Sequence, residues 1–377
     1  MRIRVAAVGD MSFNDRADDH PSLDTFSDTI PILRGSDVAV ANLESPLLRD
    51  GTSIPGKCTL QGAPEWAAVI KKAGIHIVSL ANNHIMDFGE SGLARTIQSL
   101  EAASVKYLGA GKNREDACAP LYLDSNGLTI AILARTQVPV SSPSYATDSR
   151  AGTAFLAVDE TIGSIRRCKD RADIVILLIH WGLEEYSYPS AHQRFLARLF
   201  AEAGASVIIG HHPHVLQGTE RIGTALVSYS LGNFVFEDVR WSFATNGGNL
   251  TSETFKLTDE NRRGGILTAL VSARGVESYE VLPTRIGTDG RVVMEDPSER
   301  EKQFVRLCTR LRTRGYPLFW RAYSLRQEWR LRARPLINGN LSVANLKKLR
   351  PHHFKVLFAT LHRSARLTLE KTTNPYE

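Results

Sequence analysis

Residues 193–214 read QRFLARLFAEAGASVIIGHHPH, and this stretch decides the fold class. Gln193–Ala203 has apolar residues at helical spacing, and Gly204 follows where the end of a helix needs a residue that tolerates positive φ. Val207–Ile209 is a short β-branched run that predicts a buried strand. The polar segment Gly210–His214 comes directly after it. The stretch therefore predicts a helix, a strand and a histidine-rich loop in succession.

The same alternation extends outward over most of the chain. Strands are predicted at Ile3–Val8, Val38–Asn42, Ile75–Leu80, Leu128–Ala134, Ile174–Ile179, Val207–Ile209 and Ala225–Ser230. Helices are predicted at Leu23–Leu33, Glu65–Ala73, Gly92–Ala102, Asp159–Arg171 and Gln193–Ala203. Because strands alternate with helices, the pattern predicts an α/β fold with largely parallel sheets covered by helices.

The pattern changes after about residue 245. Thr245–Asn249 predicts a turn region, and Gly264–Ser272 and Val276–Val281 predict paired strands at a sheet edge. Pro317–Arg334 and His352–Lys371 predict helices.

The first of these helices has two faces in the sequence. An apolar stripe is predicted from the helical spacing of Leu318, Ala322, Leu325 and Trp329. A neighbouring basic ridge is predicted from Arg326, Arg330 and Arg334.

Composition excludes several classes of protein. The 377 residues are 43% hydrophobic and 23% charged, which is typical of a globular enzyme and not of a disordered chain. The four cysteines are scattered, which argues against a disulfide framework and against a thiolate zinc site. No apolar run approaches the ~20 residues that cross a bilayer, and the N-terminus lacks a signal-peptide core. We therefore expect a cytoplasmic protein.

Charge is unevenly distributed along the chain. Residues 298–377 contain 18 Lys and Arg against 5 Asp and Glu, whereas residues 1–297 contain 28 against 35. We therefore predict a catalytic domain over residues 1–297 and a basic helical extension over residues 298–377. Such an extension can contact an acidic polymer or an anionic membrane surface, or its arginines can simply face water.

Six polar clusters follow predicted strands. They are Gly9-Asp10, Asn42-Leu-Glu44, Asn82-Asn83-His84 with Asp87, His180-Trp-Gly182 with Glu184 and Glu185, Gly210-His-His-Pro-His214, and Ser230-Leu-Gly-Asn233. Because ligands bind at the carboxyl ends of strands in parallel sheets, we expect the clusters to converge on one rim.

The residue types in these clusters favour a metal site. Carboxylate, amide and imidazole donors without thiolates suit Zn²⁺, Mn²⁺, Fe or Co. Six or seven donors exceed the need of one tetrahedral ion, so a pair of ions ~3.5–4 Å apart is expected to use them, and such a pair can activate a water at neutral pH. Taken singly, each cluster could instead be a turn or a buried core histidine.

Together, the clusters resemble the CapA family, which is named for poly-γ-glutamate capsule synthesis. The matching residues are Gly9-Asp10, Ala41–Glu44, Ser79–His84 with Asp87 and Gly89, His180-Trp-Gly182 with Glu184 or Glu185, Gly210–Val215 and Tyr229–Phe234. The resemblance covers roughly residues 1–285. It implies the two-sheet α/β sandwich of calcineurin-like metallophosphoesterases, with helices outside.

The resemblance also implies roles for individual residues. One or two divalent ions are expected on Asp10, Glu44, Asn83, His180, His212 and His214. Glu44 would bridge two ions, with Asn83, His180 and His212 on one and Asp10 and His214 on the other. His84 resembles the family's catalytic histidine.

The first strand departs from the superfamily pattern. Calcineurin-like enzymes usually carry Asp-x-His there, whereas Asp10 is followed by Met11-Ser12. The missing ligand could be replaced by Ser12, Ser45 or water.

Three functions remain open from the sequence. The first is a CapA-like metal-dependent hydrolase or transferase that acts on an acidic polymer or peptide. The second is a metal-dependent peptide epimerase, with Asp10 and His214 as paired bases. The third is a non-catalytic binding or assembly protein for an anionic polymer, with a biosynthetic partner or a peripheral membrane contact through the basic extension. The lack of an aromatic-basic stacking array in residues 1–297 argues against a nucleic-acid substrate.

Overall fold

The computed structural model describes residues 1–14, 21–54, 57–138, 144–244 and 250–333. Within these ranges the strands are β1 (Ile3–Met11), β2 (Val38–Leu43), β3 (Ile77–Ser79), β4 (Lys106–Leu108), β5 (Ala110–Gly111), β6 (Leu121–Ser125), β7 (Leu128–Thr136), β8 (Gly152–Thr153), β9 (Ile174–His180), β10 (Val207–His211), β11 (Thr219–Ile222), β12 (Ala225–Ser228), β13 (Asn233–Val235), β14 (Val239–Ala244), β15 (Leu250–Phe255), β16 (Arg263–Ser272), β17 (Gly275–Ile286) and β18 (Val292–Met294). The helices are α1 (Ile30–Arg34), α2 (Trp66–Ala73), α3 (Gly89–Ala102), α4 (Arg114–Cys118), α5 (Val158–Lys169), α6 (Ala191–Ala203), α7 (Pro297–Leu311) and α8 (Tyr316–Glu328).

Two large sheets carry most of these strands. The first has the order β18–β17–β16–β1–β2–β3–β4, with β13 paired to the end of β1, and the second has the order β11–β12–β10–β9–β7–β6. The strands β1 to β4 are mutually parallel, as are β7, β9, β10 and β12. Antiparallel strands flank both parallel blocks. The predicted parallel core is therefore confirmed, with antiparallel additions at the sides.

Successive side chains of each strand point to opposite faces of its sheet, and this alternation produces the layers of the sandwich. On β1, Ile3, Val5 and Ala7 face the second sheet, whereas Ala6 and Val8 face the helices on the outside of the first sheet. The strands β7, β9 and β10 alternate in the same way between the inter-sheet core and an outer core that includes residues of α5 and α6. This arrangement confirms the predicted α/β two-sheet sandwich flanked by helices.

Local sequence fixes the bounds of α6. Ser190 accepts a hydrogen bond from the backbone N–H of Gln193, and the Gln193 side chain accepts one from the Ser190 N–H, which forms a capping box. Gly204, at φ 116°, ends the helix in the left-handed region, as the sequence predicts.

Two predicted elements differ from the structure. The helix predicted over Leu23–Leu33 is a 3₁₀ turn at Leu23–Phe26 followed by α1. The break occurs because Ser27 and Thr29 donate hydroxyl hydrogen bonds to carbonyls of the preceding turn, and because Pro31 favours a new helix start. The strand pair predicted at an edge lies inside the first sheet, where β16 pairs with β1 and β17 pairs with β18.

The apolar stripe predicted for the C-terminal helix does not form its buried face. Leu318, Leu325 and Trp329 are 72%, 48% and 45% exposed. The helix α8 instead packs on the outer core of the second sheet through Tyr316 and Trp320, which are buried. Tyr316 and Trp320 lie four residues apart on another face of the helix, and burying both removes a large apolar area from water.

The described part of the basic extension contacts the sheets directly. Leu311, Tyr316 and Trp320 belong to the same core as β9 and α6. The predicted boundary at residue 297 coincides with the start of α7, and the division into two domains stays a prediction. The turn predicted at Thr245–Asn249 and the helix predicted at His352–Lys371 lie outside the described residues. Among the helices of the described ranges, none has both the length and the apolar character to cross a bilayer.

Candidate metal centre

The candidate centre lies where the carboxyl ends of β1, β2 and β3 meet those of β9 and β10. Gly9 allows the end of β1 to lie against the backbone at Gly232, because a Cβ on Gly9 would lie 1.9 Å from the carbonyl oxygen of Gly232. The backbone N–H of Asp10 donates to that same carbonyl. The end of β1 and the segment that leads into β13 thus lie close together, and the next side chain, Asp10, enters the rim.

Asp10 joins the two sheets through its carboxylate. Its Oδ1 accepts a hydrogen bond from Asn42 Nδ2 at 2.8 Å, and its Oδ2 accepts one from the backbone N–H of His212 at 3.1 Å. Its Oδ2 also lies 3.5 Å from His214 Nδ1. Because Asp10 is fully buried, these contacts fix its orientation at the centre.

Glu44 lies between two histidines, one at the end of β9 and the other in the loop after β10. Its Oε1 is 3.7 Å from His180 Nε2, and its Oε2 is 4.0 Å from His214 Nε2. The side chain is fully buried, and Oε2 has no hydrogen-bond partner. Burial raises the pKa of Glu44 well above its usual range, and the charge of His214 opposes this shift.

The loop after β3 brings an amide and an imidazole to the same rim. Asn83 Oδ1 lies 2.9 Å from His180 Nε2. Asn82 shapes the loop, since its Oδ1 accepts from the backbone N–H groups of His84 and Ile85 and its Nδ2 donates to the carbonyl of Leu43. The amide pair therefore ties this loop to both β2 and β9.

His84 is oriented by a buried carboxylate. Its Nδ1 lies 2.9 Å from Asp87 Oδ2, and the other oxygen of Asp87 pairs with the ammonium of Lys57. Lys57 also donates to the carbonyl of Asn83 at 2.7 Å. Since Asp87 engages Nδ1, the opposite ring nitrogen of His84 is left for other contacts.

The histidines of Gly210–His214 have different surroundings. His211 is buried with its Nε2 at 3.2 Å from the carbonyl of Val8, which is a structural contact between the sheets. His212 and His214 adopt φ values of 97° and 55°, a region that costs a non-glycine residue ~1–3 kcal/mol. The rings of His180 and His212 lie 4.8 Å apart, and His214 Nδ1 is 2.9 Å from Asn233 Oδ1.

The charge states of the imidazoles differ. Burial lowers the pKa of His180 well below its usual range, with further lowering from the neighbouring histidines, and burial lowers the pKa of His212 to about 4. Burial would also lower the pKa of His214, but the carboxylates of Glu44, Asp10 and Glu184 raise it to about 9. His180 and His212 are therefore neutral at pH 7, the form in which imidazole ligates metals.

The structure brings all the residues predicted for the site to one rim. Two sets of three have ligand atoms within 4.8 Å of one another, namely Asp10 with Glu44 and His180, and Glu184 with His212 and His214. This grouping differs from the expected sharing of Asn83, His180 and His212 by one ion, and the assignment of residues to ions stays a prediction. Of the suggested replacements for the missing histidine, Ser45 Oγ already accepts from the Phe13 N–H, whereas Ser12 Oγ is buried without a partner.

Sequence reasoning missed several residues that organise the site. Asn42 and Asn82 lie inside the predicted clusters, but their hydrogen-bonding role depends on side-chain geometry that spacing does not reveal. Asn233 also lies inside a predicted cluster, but its contact with His214 was not predicted. Lys57 lies outside every cluster, and nothing in the sequence indicates its contact with Asp87.

This two-sheet α/β sandwich with its carboxylate, amide and imidazole rim has the donor set of a metal-dependent protein. A family model described as bacterial capsule synthesis protein PGA_cap matches residues 4–238. The chain therefore belongs to this family.

Individual relatives agree with that assignment. The capsule biosynthesis protein CapA of Bacillus anthracis is 36% identical over 220 residues, which cover 56% of this chain and 53% of the relative. The PGA biosynthesis protein CapA of Bacillus subtilis strain 168 is 31% identical over 284 residues, which cover 74% of this chain and 70% of the relative. The matched region thus spans about half the length of the B. anthracis protein.

A solved structure with similarity to the chain is an NAD nucleotidase of Haemophilus influenzae. It is 13% identical with a TM-score of 0.44, and the match covers 98% of this chain and 61% of the nucleotidase. A TM-score at this level carries no functional weight.

Proposed function

We propose that the chain is a divalent-metal-dependent hydrolase or transferase that acts in the synthesis of an anionic, glutamate-containing polymer. Membership of the capsule synthesis family supports the polymer, and the geometry of the rim supports metal dependence. The observation that carries the proposal is Glu44, a buried carboxylate between two imidazoles with an oxygen that lacks a hydrogen-bond partner.

The surroundings of Glu44 fit a cation better than an apolar core. A buried polar atom without a partner costs ~1–3 kcal/mol, and more when it is charged. A divalent ion beside Glu44 would remove that cost and would lower the pKa of the carboxylate. The neutral imidazoles of His180 and His212, the amide of Asn83 and the carboxylate of Asp10 supply further donors of the kind that Mn²⁺, Zn²⁺, Fe and Co accept.

The protein's own residues would divide the remaining work. When bound, divalent ions supply Lewis-acid polarisation of a substrate oxygen and a nucleophile of lowered pKa. Asp87 holds His84 by Nδ1, so that the opposite nitrogen can give a proton to the leaving group or take one from the attacking group. Asn42 orients Asp10 and Glu44 by donating to both carboxylates, and Asn82 donates in turn to the amide oxygen of Asn42.

The basic extension would hold the acidic substrate. Arg326 lies exposed on α8 and Arg330 lies exposed just beyond its last residue, and residues 334–377 add 8 Lys and Arg against 2 Asp and Glu. Positive charge concentrated in one segment raises the local concentration of a polyanion. A cytoplasmic location, with peripheral contact to an anionic membrane, remains part of this proposal.

A His84→Ala variant tests the proposed chemistry. The full chain, loaded with Mn²⁺, is assayed for release of fragments from poly-γ-glutamate and for hydrolysis of a nitrophenyl phosphodiester. We expect turnover to fall ~10²–10⁴-fold because the proton donor is lost, while the Mn²⁺ content stays that of the wild type. His76→Gln, which replaces a histidine outside the rim, is the matched control and is expected to keep full turnover.

Other outcomes would contradict the proposal in distinct ways. Deuterium uptake from D₂O into a peptide without bond cleavage would identify the epimerase alternative. Full metal loading without turnover on polymer, peptide or phosphoester would identify a binding or assembly protein.

A further inference from the structure

The two sets of potential ligands differ in burial and in the elements that carry them. Asp10, Glu44 and His180 come from the ends of three strands and are buried. His212 and His214 offer a second pair of imidazoles, and the third member of their set is Glu184, an exposed residue of the loop after β9. Ser12 occupies the position two residues after Asp10 and brings no imidazole to this pair.

We propose that Glu184 is the third protein ligand of a second cation position, which it forms with His212 and His214. This inference rests on the proposed metal-dependent function and adds Glu184, for which the sequence predicted no individual role. Two imidazoles and one glutamate are a donor set that binds catalytic zinc in other proteins and leaves a coordination position open. Because Glu184 is exposed, this cation would lie on the solvent side of the one held by Glu44 and His180.

The backbone next to Glu184 is tied to the histidine loop. The N–H of Glu185 donates to the carbonyl of Pro213 at 2.9 Å, which fixes the two loops against each other between His212 and His214. Asn261 adds a second link, since its Nδ2 donates both to Glu185 Oε1 and to the carbonyl of His214. Glu185 has a φ of 66° and directs its own side chain to Asn261, so the two adjacent glutamates have separate tasks.

The helix α8 holds the same loop from the other side. Gln327 donates to the carbonyl of Glu185 at 2.8 Å, and the hydroxyl of Tyr323 accepts from the N–H of Ser187 at 2.8 Å. The hydroxyl of Tyr186 lies 2.7 Å from Glu328 Oε1 in a buried contact. These contacts come from residues beyond the family match at 4–238, so the C-terminal helices act as a support for the loop that carries Glu184.

The test is a titration of the metal-free full chain with Mn²⁺, followed by calorimetry, elemental analysis and electron paramagnetic resonance. The wild type is expected to bind two ions, the second more weakly because one of its ligands is exposed. Glu184→Ala is expected to weaken the second ion at least ~10-fold, which removes the spectrum of a coupled ion pair and leaves that of an isolated ion. Glu184→Asp is expected to restore part of the affinity because it keeps the carboxylate.

The control variant is Glu202→Ala, which removes an exposed glutamate of α6 and should leave both affinities unchanged. Two ions bound with unchanged affinity in Glu184→Ala, or a wild-type chain that takes only one ion, would overturn the assignment of Glu184 and leave the proposed function standing. A wild-type chain that binds no Mn²⁺ would overturn both.

Discussion

At the residue scale, protonation of His214 would oppose the proposed metal binding. The carboxylates around it raise its pKa to about 9, against about 6.5 in an unfolded chain, so it is protonated at pH 7 in the metal-free protein. Its proton stabilises the metal-free fold fully below pH ~6.5, and this contribution is lost as the pH rises through about 9. A cation that takes the place of the proton would benefit from the same carboxylates.

We therefore predict that Mn²⁺ binding releases at least one proton at pH 7.5 and that the affinity rises as the pH increases toward 9. The sign follows because the ligating imidazole must be neutral, and His214 becomes neutral only as its pKa is approached. Calorimetric titrations in two buffers of different ionisation enthalpy measure the number of protons. If Mn²⁺ bound without proton release, His214 would have kept its proton, which would contradict this prediction.

The sequence predicted the candidate site residues but not the hydrogen bonds that hold them. Asp10, Glu44, Asn83, His180, His212 and His214 were predicted from polar clusters at the ends of strands and from the resemblance to the CapA family. The supporting contacts of Asn42, Asn82 and Lys57 were not predictable, because they depend on rotamers and on loops that are distant in sequence.

At the element scale, periodicity predicted the parallel strands and the longer helices but not the edges of the sheets. Short edge elements such as β4 and β18 have only three residues each, too few to show a period. The helix α8 shows the converse problem, because its sequence predicts one apolar stripe and tertiary packing buries Tyr316 and Trp320 on another face.

The basic segment beyond α8 gives an element-scale prediction. A chain that ends at residue 333 keeps Leu311 and Trp320 in the core, so we expect its melting temperature to stay close to that of the full chain. Removal of 8 Lys and Arg is expected to weaken binding to poly-γ-glutamate ~10-fold at low salt, and the difference should shrink as salt is added. Binding of the polymer and of anionic vesicles that is equal in both chains would contradict a substrate-holding role for this segment.

At the scale of the whole molecule, the sandwich places the carboxyl ends of the parallel strands of one sheet against those of the other sheet. The pairing of the strands within each sheet could not be predicted from the sequence, because it joins segments as distant as Ile3 and Val271, which are register partners in β1 and β16. Local patterns predict which strands exist, but the choice of neighbours depends on which faces bury the most apolar surface together. The result is one rim that collects donors separated by some two hundred residues, such as Asp10 and His212.

Anomalous X-ray diffraction from crystals of the full chain soaked with Zn²⁺ tests directly whether these distant groups bind divalent cations together. We predict an anomalous peak at coordination distance, about 2.0–2.2 Å, from the carboxylate of Glu44 and an imidazole nitrogen of His180. Well-ordered crystals whose anomalous peaks all lie away from Glu44, or that show none, would contradict joint binding of a cation by these groups.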